Sequence, residues 1–453
     1  MVIFSPWALG TTTVFTTWIM NGASYLLGVL LFIKLFLRFS NTRVCRLDEK
    51  PSRTYKFWIW ASAGLTVLIL LWCLVHALNA RANYVVDERK FYYQEILEWL
   101  PHSYSSSHSW FYFWTYLGVA LSFWAVRDWI LGIPLHERSR KLATPRINKL
   151  LWLISINATI LAIECILQRL EGSGKLLFLI QPKINYRAEA QFGPYAYRSN
   201  AAQYFNLIWP LTLAFWYVLK NAASPHRNER VGGRPHLLLF PGIILMAASP
   251  IISLSRGGAL VSLLLMGIAS ILFVFFDQKK SFLHRLSILL VVFSILGLAK
   301  LISWELLKPR LESMMQGEMS DREETYSNAI KMVEDFFWFG SGPGTFDPLY
   351  QLYLSTPKEI WYGQLHNDWL ETLITFGLIG SLLLLGWLVL ICFRWFIPKG
   401  ITWPRLGYVL PISGITGCLL HAIVDFPLQI HSVLFAFMLN CVVLSVCSRS
   451  SQP

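Results

Sequence analysis

Charge is scarce in this chain. Only 14% of its 453 residues are Asp, Glu, Lys or Arg, against about 25% in soluble globular domains. A water-soluble globular fold is therefore excluded. Cys-x-x-Cys is absent, and six of the seven cysteines lie in or at the ends of apolar runs, with Cys45 in a basic loop. Neither a disulfide framework nor a zinc site is expected. The glycine-rich stretch GSGPG at 340–344 has no Lys-Ser or Lys-Thr after it, so it is no P-loop. The long segment 305–365 holds no Asp-x-Asp pair to grip a metal against a nucleotide-sugar diphosphate, and neither a metal nor another cofactor is expected. Internal repeats, low-complexity tracts and a separate soluble domain are missing. Val2 to Thr13 has no basic n-region, and the first apolar run is long enough to span, so no cleaved signal is expected.

What the chain has is hydrocarbon. It is 55% hydrophobic, with a mean hydropathy of +0.48. Repeated apolar runs of about 20 residues imply an all-α, polytopic transmembrane bundle. Twenty Trp and eighteen Tyr suit many lipid–water boundaries. The net charge of +13 would point to nucleic acid in a soluble chain. Here it reads as basic loops, and no nucleic-acid partner is expected. Eleven spans are predicted, near 12–37, 57–78, 110–132, 149–168, 201–219, 237–254, 258–276, 286–307, 368–393, 407–425 and 428–447, within a single integral membrane domain, 1–453. The odd connections are short and basic, for example Arg38, Arg43, Arg46, Lys50, Arg53 and Lys56 in the first. The even ones are longer or acidic. Residues 305–365 carry Glu305, Glu312, Glu318, Asp321, Glu323, Glu324, Glu334, Asp335, Asp347 and Glu359 against five bases. The positive-inside rule then places the N-terminus outside and the C-terminus in the cytoplasm.

The long external loop, 305–367, contains its own helix. Ser320 and Glu323 match a capping box, and Tyr326, Ile330, Val333 and Phe337 recur at amphipathic spacing. Gly340, Gly342 and Gly344, with Pro343, end it. A phosphate cradle of backbone N–H groups is the other reading of these glycines.

The topology gathers unusual polar residues on the external side. Arg198 precedes the fifth span, Arg256 sits in LSRGGAL between the sixth and seventh, and Arg322 opens the amphipathic helix. His366 and Asn367 precede the ninth span, and Asp425 ends the tenth. Arginine beside hydrocarbon costs about 3 kcal/mol, and its planar fork suits phosphate oxygens. Arg256 alternatively snorkels to headgroups or pairs with an acid. His366 is either an interfacial polar residue or a general base, the latter favoured by Asn367, Asp368 and Glu371 beside it.

These residues resemble the O-antigen ligase/polymerase superfamily of bacterial membrane glycosyltransferases. Four pieces carry the likeness in order: LSRGGAL at 254–260, the Arg322-led helix ending in GSGPGTF, HNDWLETLITFGLIG at 366–380 and HAIVDFPLQIH at 421–431. GPYAYRSNAAQYFNLIWP at 193–210 resembles a fifth, so the likeness covers 193–431. Two departures are eleven spans where many relatives have twelve, and Tyr326 where Trp is frequent. The resemblance implies a GT-C-like, metal-independent enzyme of the bacterial inner membrane. Its donor would be an undecaprenyl-diphosphate-linked saccharide. Its acceptor would be lipid A core or another glycan if it is a ligase, or a second lipid-linked repeat if it is an O-antigen or exopolysaccharide polymerase. Arg256 and Arg322 would hold the diphosphate, with Arg198 auxiliary. His366 would be the base, with Asn367, Asp368, Glu371 and Asp425 as supporting or orienting groups. A transporter or flippase of an anionic glycolipid is the reading from another class. That class uses paired broken helices, which the sequence does not show.

Overall fold

The computed structural model describes residues 1–40, 53–132, 143–182, 184–222, 235–276, 290–303, 305, 308, 320–354, 361, 363–397 and 401–449, without the side chains of 143, 320–323 and 449. The basic connections at 41–52, 133–142, 223–234 and 277–289 lie outside the described residues.

Each of the eleven expected spans is a helix. They are α1 (Val14–Ser40), α2 (Arg53–Leu78), α3 (Ser106–Leu131), α4 (Ala143–Glu171), α5 (Arg198–Ala222), α6 (Leu239–Ile252) and α7 (Arg256–Phe276), then α8 (Leu290–Ser303). After α9 (Ser320–Asp335), which lies in the long connection, come α10 (Asp368–Phe393), α11 (Arg405–His421) and α12 (His431–Val446). Among the described residues, six helices are long and apolar enough to cross a membrane: α1, α2, α4, α6 with its lead-in from Pro235, α7 and α10. The molecule is an all-α polytopic membrane protein. Two small strand pairs are added to it. β1 (Ala82–Val85) and β2 (Lys90–Tyr93) form an antiparallel hairpin between α2 and α3, and β3 (Ile401–Trp403) lies parallel to β4 (Cys447–Arg449).

Helices α5 and α12 are buried almost all round, as helices without a polar face must be. Helix α5 packs against α11, α6, α7 and α12. The two glycines after Arg256 permit this. A Cβ on Gly258 would lie 2.4 Å from Cβ of Ala202, and one on Gly257 would lie 2.8 Å from Nε2 of His421. Asn206 of α5 donates to the Gly258 carbonyl at 3.0 Å.

Helix α10 is broken. Gly377 has φ 66° and ψ −178° inside it, nine residues or about 14 Å from its start. A break in hydrocarbon strands backbone groups unless protein supplies partners. The segment 337–342 supplies them. Ser341 and Gly342 donate their N–H groups to the carbonyls of Ile374 (2.8 Å) and Thr375 (3.0 Å). The carbonyls of Phe337 and Trp338 accept from Leu378 (2.7 Å) and Ile379 (3.3 Å). The contact is backbone on backbone, and a Cβ on Gly377 would lie 2.4 Å from the nitrogen of Gly340. The glycine-rich stretch therefore ends the long connection's helix, since Gly340 donates to Phe336 at 2.9 Å, and also splices a membrane helix.

The amphipathic helix forms as expected, and of its four expected apolar residues Tyr326 and Val333 pack on the cluster beneath it while Ile330 and Phe337 are exposed. Ala329 and Met332 pack on Phe346, Leu349, Tyr350, Leu365 and Ile374. Thr325 and Asn328 share that buried side, whereas Ile330 is 53% exposed. The buried face thus mixes Thr325, Asn328 and Ala329 with Met332, toward α10 and the 346–350 turn.

Gly377→Ala is expected to destabilise the protein by about 3 kcal/mol or more, from backbone strain and displacement of the splice. Gly267→Ala, with nothing within 4 Å of the new methyl, is expected to leave stability unchanged within about 0.5 kcal/mol. Thermal unfolding of both variants in one detergent compares them.

Candidate active site

The even-numbered connections meet at one end of the bundle, and His366 stands where they meet. Its loop is held from four directions. Asn367 caps α10, its Oδ1 accepting from Leu370 N–H at 3.0 Å. Glu371 reaches back to the N–H of Leu365 at 3.0 Å. Tyr326 of α9 donates its hydroxyl to the His366 carbonyl at 3.2 Å. Asp368 accepts from Leu428 N–H at 2.7 Å, and its own N–H donates to the Ala422 carbonyl at 2.9 Å. Between these restraints His366 sits at φ 57°, a left-handed conformation that costs about 1–3 kcal/mol in a non-glycine residue. Asp368 and Glu371 thus point at backbone N–H groups, and the imidazole takes a different partner.

That partner is Asp425. The His366 Nδ1 lies 3.2 Å from Oδ1 of Asp425. The His366 side chain is 37% exposed and that of Asp425 is 6% exposed. Asp425 lies four residues past the end of α11, in the connection to α12. Ser199 of α5 donates to its Oδ2, the Phe426 N–H to its Oδ1 at 3.1 Å, and His421 Nε2 stands 3.7 Å from Oδ2. Burial alone would raise the pKa of this carboxyl. The hydrogen bond from His366, the nearby His421 and the Ser199 hydroxyl outweigh burial and hold it below the usual carboxylate range. An ionised carboxylate only accepts hydrogen bonds. The His366 Nδ1 therefore carries the hydrogen in the neutral ring, and Nε2 keeps the lone pair. Tyr197 and Phe426, stacked on each other at 5.6 Å, border the imidazole at 6.2 and 4.8 Å.

Two helix N-termini face this pair. Arg198 opens α5 and Arg256 opens α7. The two starts are joined by Ser199 and Ser255, whose hydroxyls are 3.1 Å apart. Helix N-termini attract anions through unpaired N–H groups and the helix dipole. Both arginines are half-buried, and Arg198 donates to the Glu189 carbonyl at 2.9 Å. Leu254, at φ 65°, turns the chain into α7. Arg169 of α4 braces that turn by donating to the carbonyls of Gln191 (2.7 Å) and Ser253 (3.2 Å). Arg322 lies on the first turn of α9, its side chain outside the described residues.

An apolar cavity of about 600 Å³ begins beside the site. Asn367 and Asp368 are among its lining residues. Its walls come from α2, α3, α10, α11 and α12, down to Trp387 and Leu388, a run of about 30 Å along α10.

Sequence reasoning did not single out Ser199, Tyr197, Ser255 or His421. His421 and Asp425 had a signal, since their i, i+4 spacing puts them within reach at a helix end. Ser199 and Ser255 had none, because their meeting depends on how α5 packs on α7.

Taken together, the chain is an α-helical membrane protein with a polar site at one end of its bundle. The family model described as O-antigen ligase matches residues 241–385, and this match supports the O-antigen ligase/polymerase superfamily. The match contains Arg256, Arg322 and His366 and leaves out Arg198 and Asp425. It supports a bacterial membrane protein with a glycosyltransferase-like activity of general O-antigen ligase/polymerase type, acting on glycan or lipid-linked substrate. No curated protein and no solved structure matches the chain.

The lowered pKa of Asp425 fixes the sign of a stability effect. Its interactions stabilise the fold above the unfolded value of about 3.9 and lose that contribution as pH falls through the folded value. Asp425→Asn is therefore expected to be less stable than the native protein by about 2 kcal/mol at pH 7. The gap should narrow as pH falls below the unfolded carboxylate value of about 3.9 and close as it passes through the lower folded value, as read from paired thermal unfolding curves.

Proposed function

We propose that this protein transfers a saccharide from undecaprenyl diphosphate to an acceptor hydroxyl at the outer face of the bacterial inner membrane, as an O-antigen ligase does. One observation carries the reading: the His366–Asp425 pair presents a lone pair at Nε2 beside the starts of α5 and α7.

In this reading the acceptor hydroxyl gives its proton to Nε2 of His366, and its oxygen attacks the anomeric carbon. The bond from that carbon to the diphosphate oxygen breaks, and its electron pair leaves with the diphosphate. Asp425 fixes the tautomer and stabilises the imidazolium that forms, and Ser199 fixes Asp425. Arg256 and Arg322, with Arg198 auxiliary, hold the diphosphate. Together with the two helix N-termini they neutralise its growing charge, the usual electrostatic route to a lower barrier. These charges are fixed protein groups, so the reaction is assigned no metal. The cavity beside Asn367 receives polyprenyl chain. A transporter reading calls for paired broken helices, and the one break in α10 is filled by the segment 337–342.

His366→Ala is expected to fold and to bind the lipid diphosphate, while turnover falls by about 10²- to 10⁴-fold. The assay is transfer from purified undecaprenyl-diphosphate glycan in nanodiscs, with donor binding measured alongside. Normal turnover in the variant would remove the base assignment.

Arg256→Lys should insert normally and lose most activity, about 10-fold or more, because an ammonium lacks the bidentate fork. Full activity would reduce Arg256 to a generic positive charge.

A further inference from the structure

The β1–β2 hairpin lies outside the spans and carries a row of aromatic rings. Tyr84 and Phe91 are opposite each other across the strands, with centroids 4.9 Å apart. Tyr93, two residues on and so on the same face, lies 6.5 Å from Phe91. Trp361, from the segment leading to His366, stacks on Tyr84 at 6.3 Å and 29°. The Arg89 guanidinium lies 5.8 Å from the Trp361 ring. Arg89 occupies the hairpin turn at φ 52°. Tyr93 is 66% exposed and Trp361 42% exposed, whereas Tyr84 is buried and serves as their backing.

The rim of this row is polar and of mixed sign. Trp361 Nε1 donates to Asp347, with His108 near that carboxylate. Tyr92 donates to Glu88 in the same hairpin. Rings of a membrane-interface belt turn their polar edges to headgroups and water. Here the indole N–H is already taken by a protein carboxylate and a guanidinium lies against the ring, which suits an amphipathic ligand rather than hydrocarbon. Acids stand among the bases, so no anionic lipid surface is selected. A sugar ring fits: its C–H face stacks on an aromatic ring, and its hydroxyls pair with carboxylate and guanidinium at the edge.

The row is also continuous with the candidate active site. Phe91 packs in the cluster of Leu349 and Leu365, which also takes in Tyr326, the residue whose hydroxyl holds the His366 carbonyl. Trp361 is five residues from His366, a distance of at most about 18 Å.

We propose that Tyr93 and Trp361, backed by the buried Tyr84 and edged by Arg89 and Asp347, form an oligosaccharide-binding platform that holds a glycan chain leading to His366. The role of the platform in transfer rests on the function proposed above; its binding of glycan does not.

The test uses the full chain in nanodiscs. The probe is the lipid-free oligosaccharide released by mild acid from the source bacterium's lipopolysaccharide. Its affinity is measured by titration calorimetry for the native protein, Trp361→Ala, Tyr93→Ala and Trp361→Phe, and repeated in a His366→Ala background. Losing a stacked ring should weaken binding by about three- to tenfold in each alanine variant, with and without His366, while Trp361→Phe stays near native. In transfer assays the same alanine variants should raise KM and spare kcat. A raised acceptor KM identifies the acceptor glycan as the occupant, and a raised donor KM the donor glycan. The platform is overturned if the native protein does not bind the oligosaccharide, or if neither alanine variant weakens binding. It is overturned in favour of a membrane belt if the variants lose only association with phosphatidylglycerol vesicles. Ring-dependent binding in a protein that transfers no glycan would sink the proposed function and leave the platform standing. His366-dependent transfer with a KM and affinity indifferent to both rings would do the reverse.

Discussion

A backbone amide in hydrocarbon must find a partner, and that constraint organises the site end of this molecule. Gly377 leaves α10 unable to satisfy its own ladder. The chain solves this by driving 337–342 into the gap, with hydrogen bonds running both ways. The solution fixes more than the break. Helix α9 ends at Asp335 and runs directly into this segment, where Gly340 donates to the Phe336 carbonyl, so the splice sets where α9 lies. Tyr326 of α9 then reaches the His366 carbonyl. A defect in one membrane helix thus becomes the mount for a segment outside the spans, and that segment becomes one of the clamps on the candidate base.

The second organising force is electrostatic. Asp425 is nearly inaccessible, and an isolated carboxylate would be neutral there. It stays ionised because His366, His421 and Ser199 converge on it from three elements. The same charge orders the imidazole, and the order extends through Ser199 to Ser255 at the start of α7. A single buried acid therefore registers α5, α7, the loop before α10 and the end of α11 against one another. Arg198 and Arg256 follow from this register, since each is the first residue of a helix whose next or preceding serine is already fixed.

Much of this was legible in the chain itself. Apolar runs gave a helix at each expected span, and among the described residues six of these are long and apolar enough to cross a membrane. Basic connections grouped His366, Arg256 and Asp425 on one side before any contact was known. Reading beyond that needs packing. The buried face of α9 could not be told from its periodicity, since Ile330 is more apolar than Asn328 yet lies outward. The splice was hidden because a glycine run reads equally well as a helix stop. Glu371 looked like a partner for His366 by proximity, whereas the cap geometry directs it to the Leu365 N–H. Asp425, 59 residues away, makes the contact instead. The hairpin went unseen because its strands are only four residues each.

The cavity beside Asn367 is bordered by Trp369 and Leu385, which are 47% and 45% exposed on a helix that crosses the bilayer. If such a compartment receives the proposed polyprenyl chain, it is filled sideways, from the lipid leaflet. The quantity that governs its occupancy is the mole fraction of ligand among lipids, a two-dimensional concentration. Enlarging the aqueous volume leaves that fraction untouched, whereas added lipid or detergent lowers it. Half-saturation for such a protein is a surface density, and a value given in molar units describes the micelle as much as the enzyme.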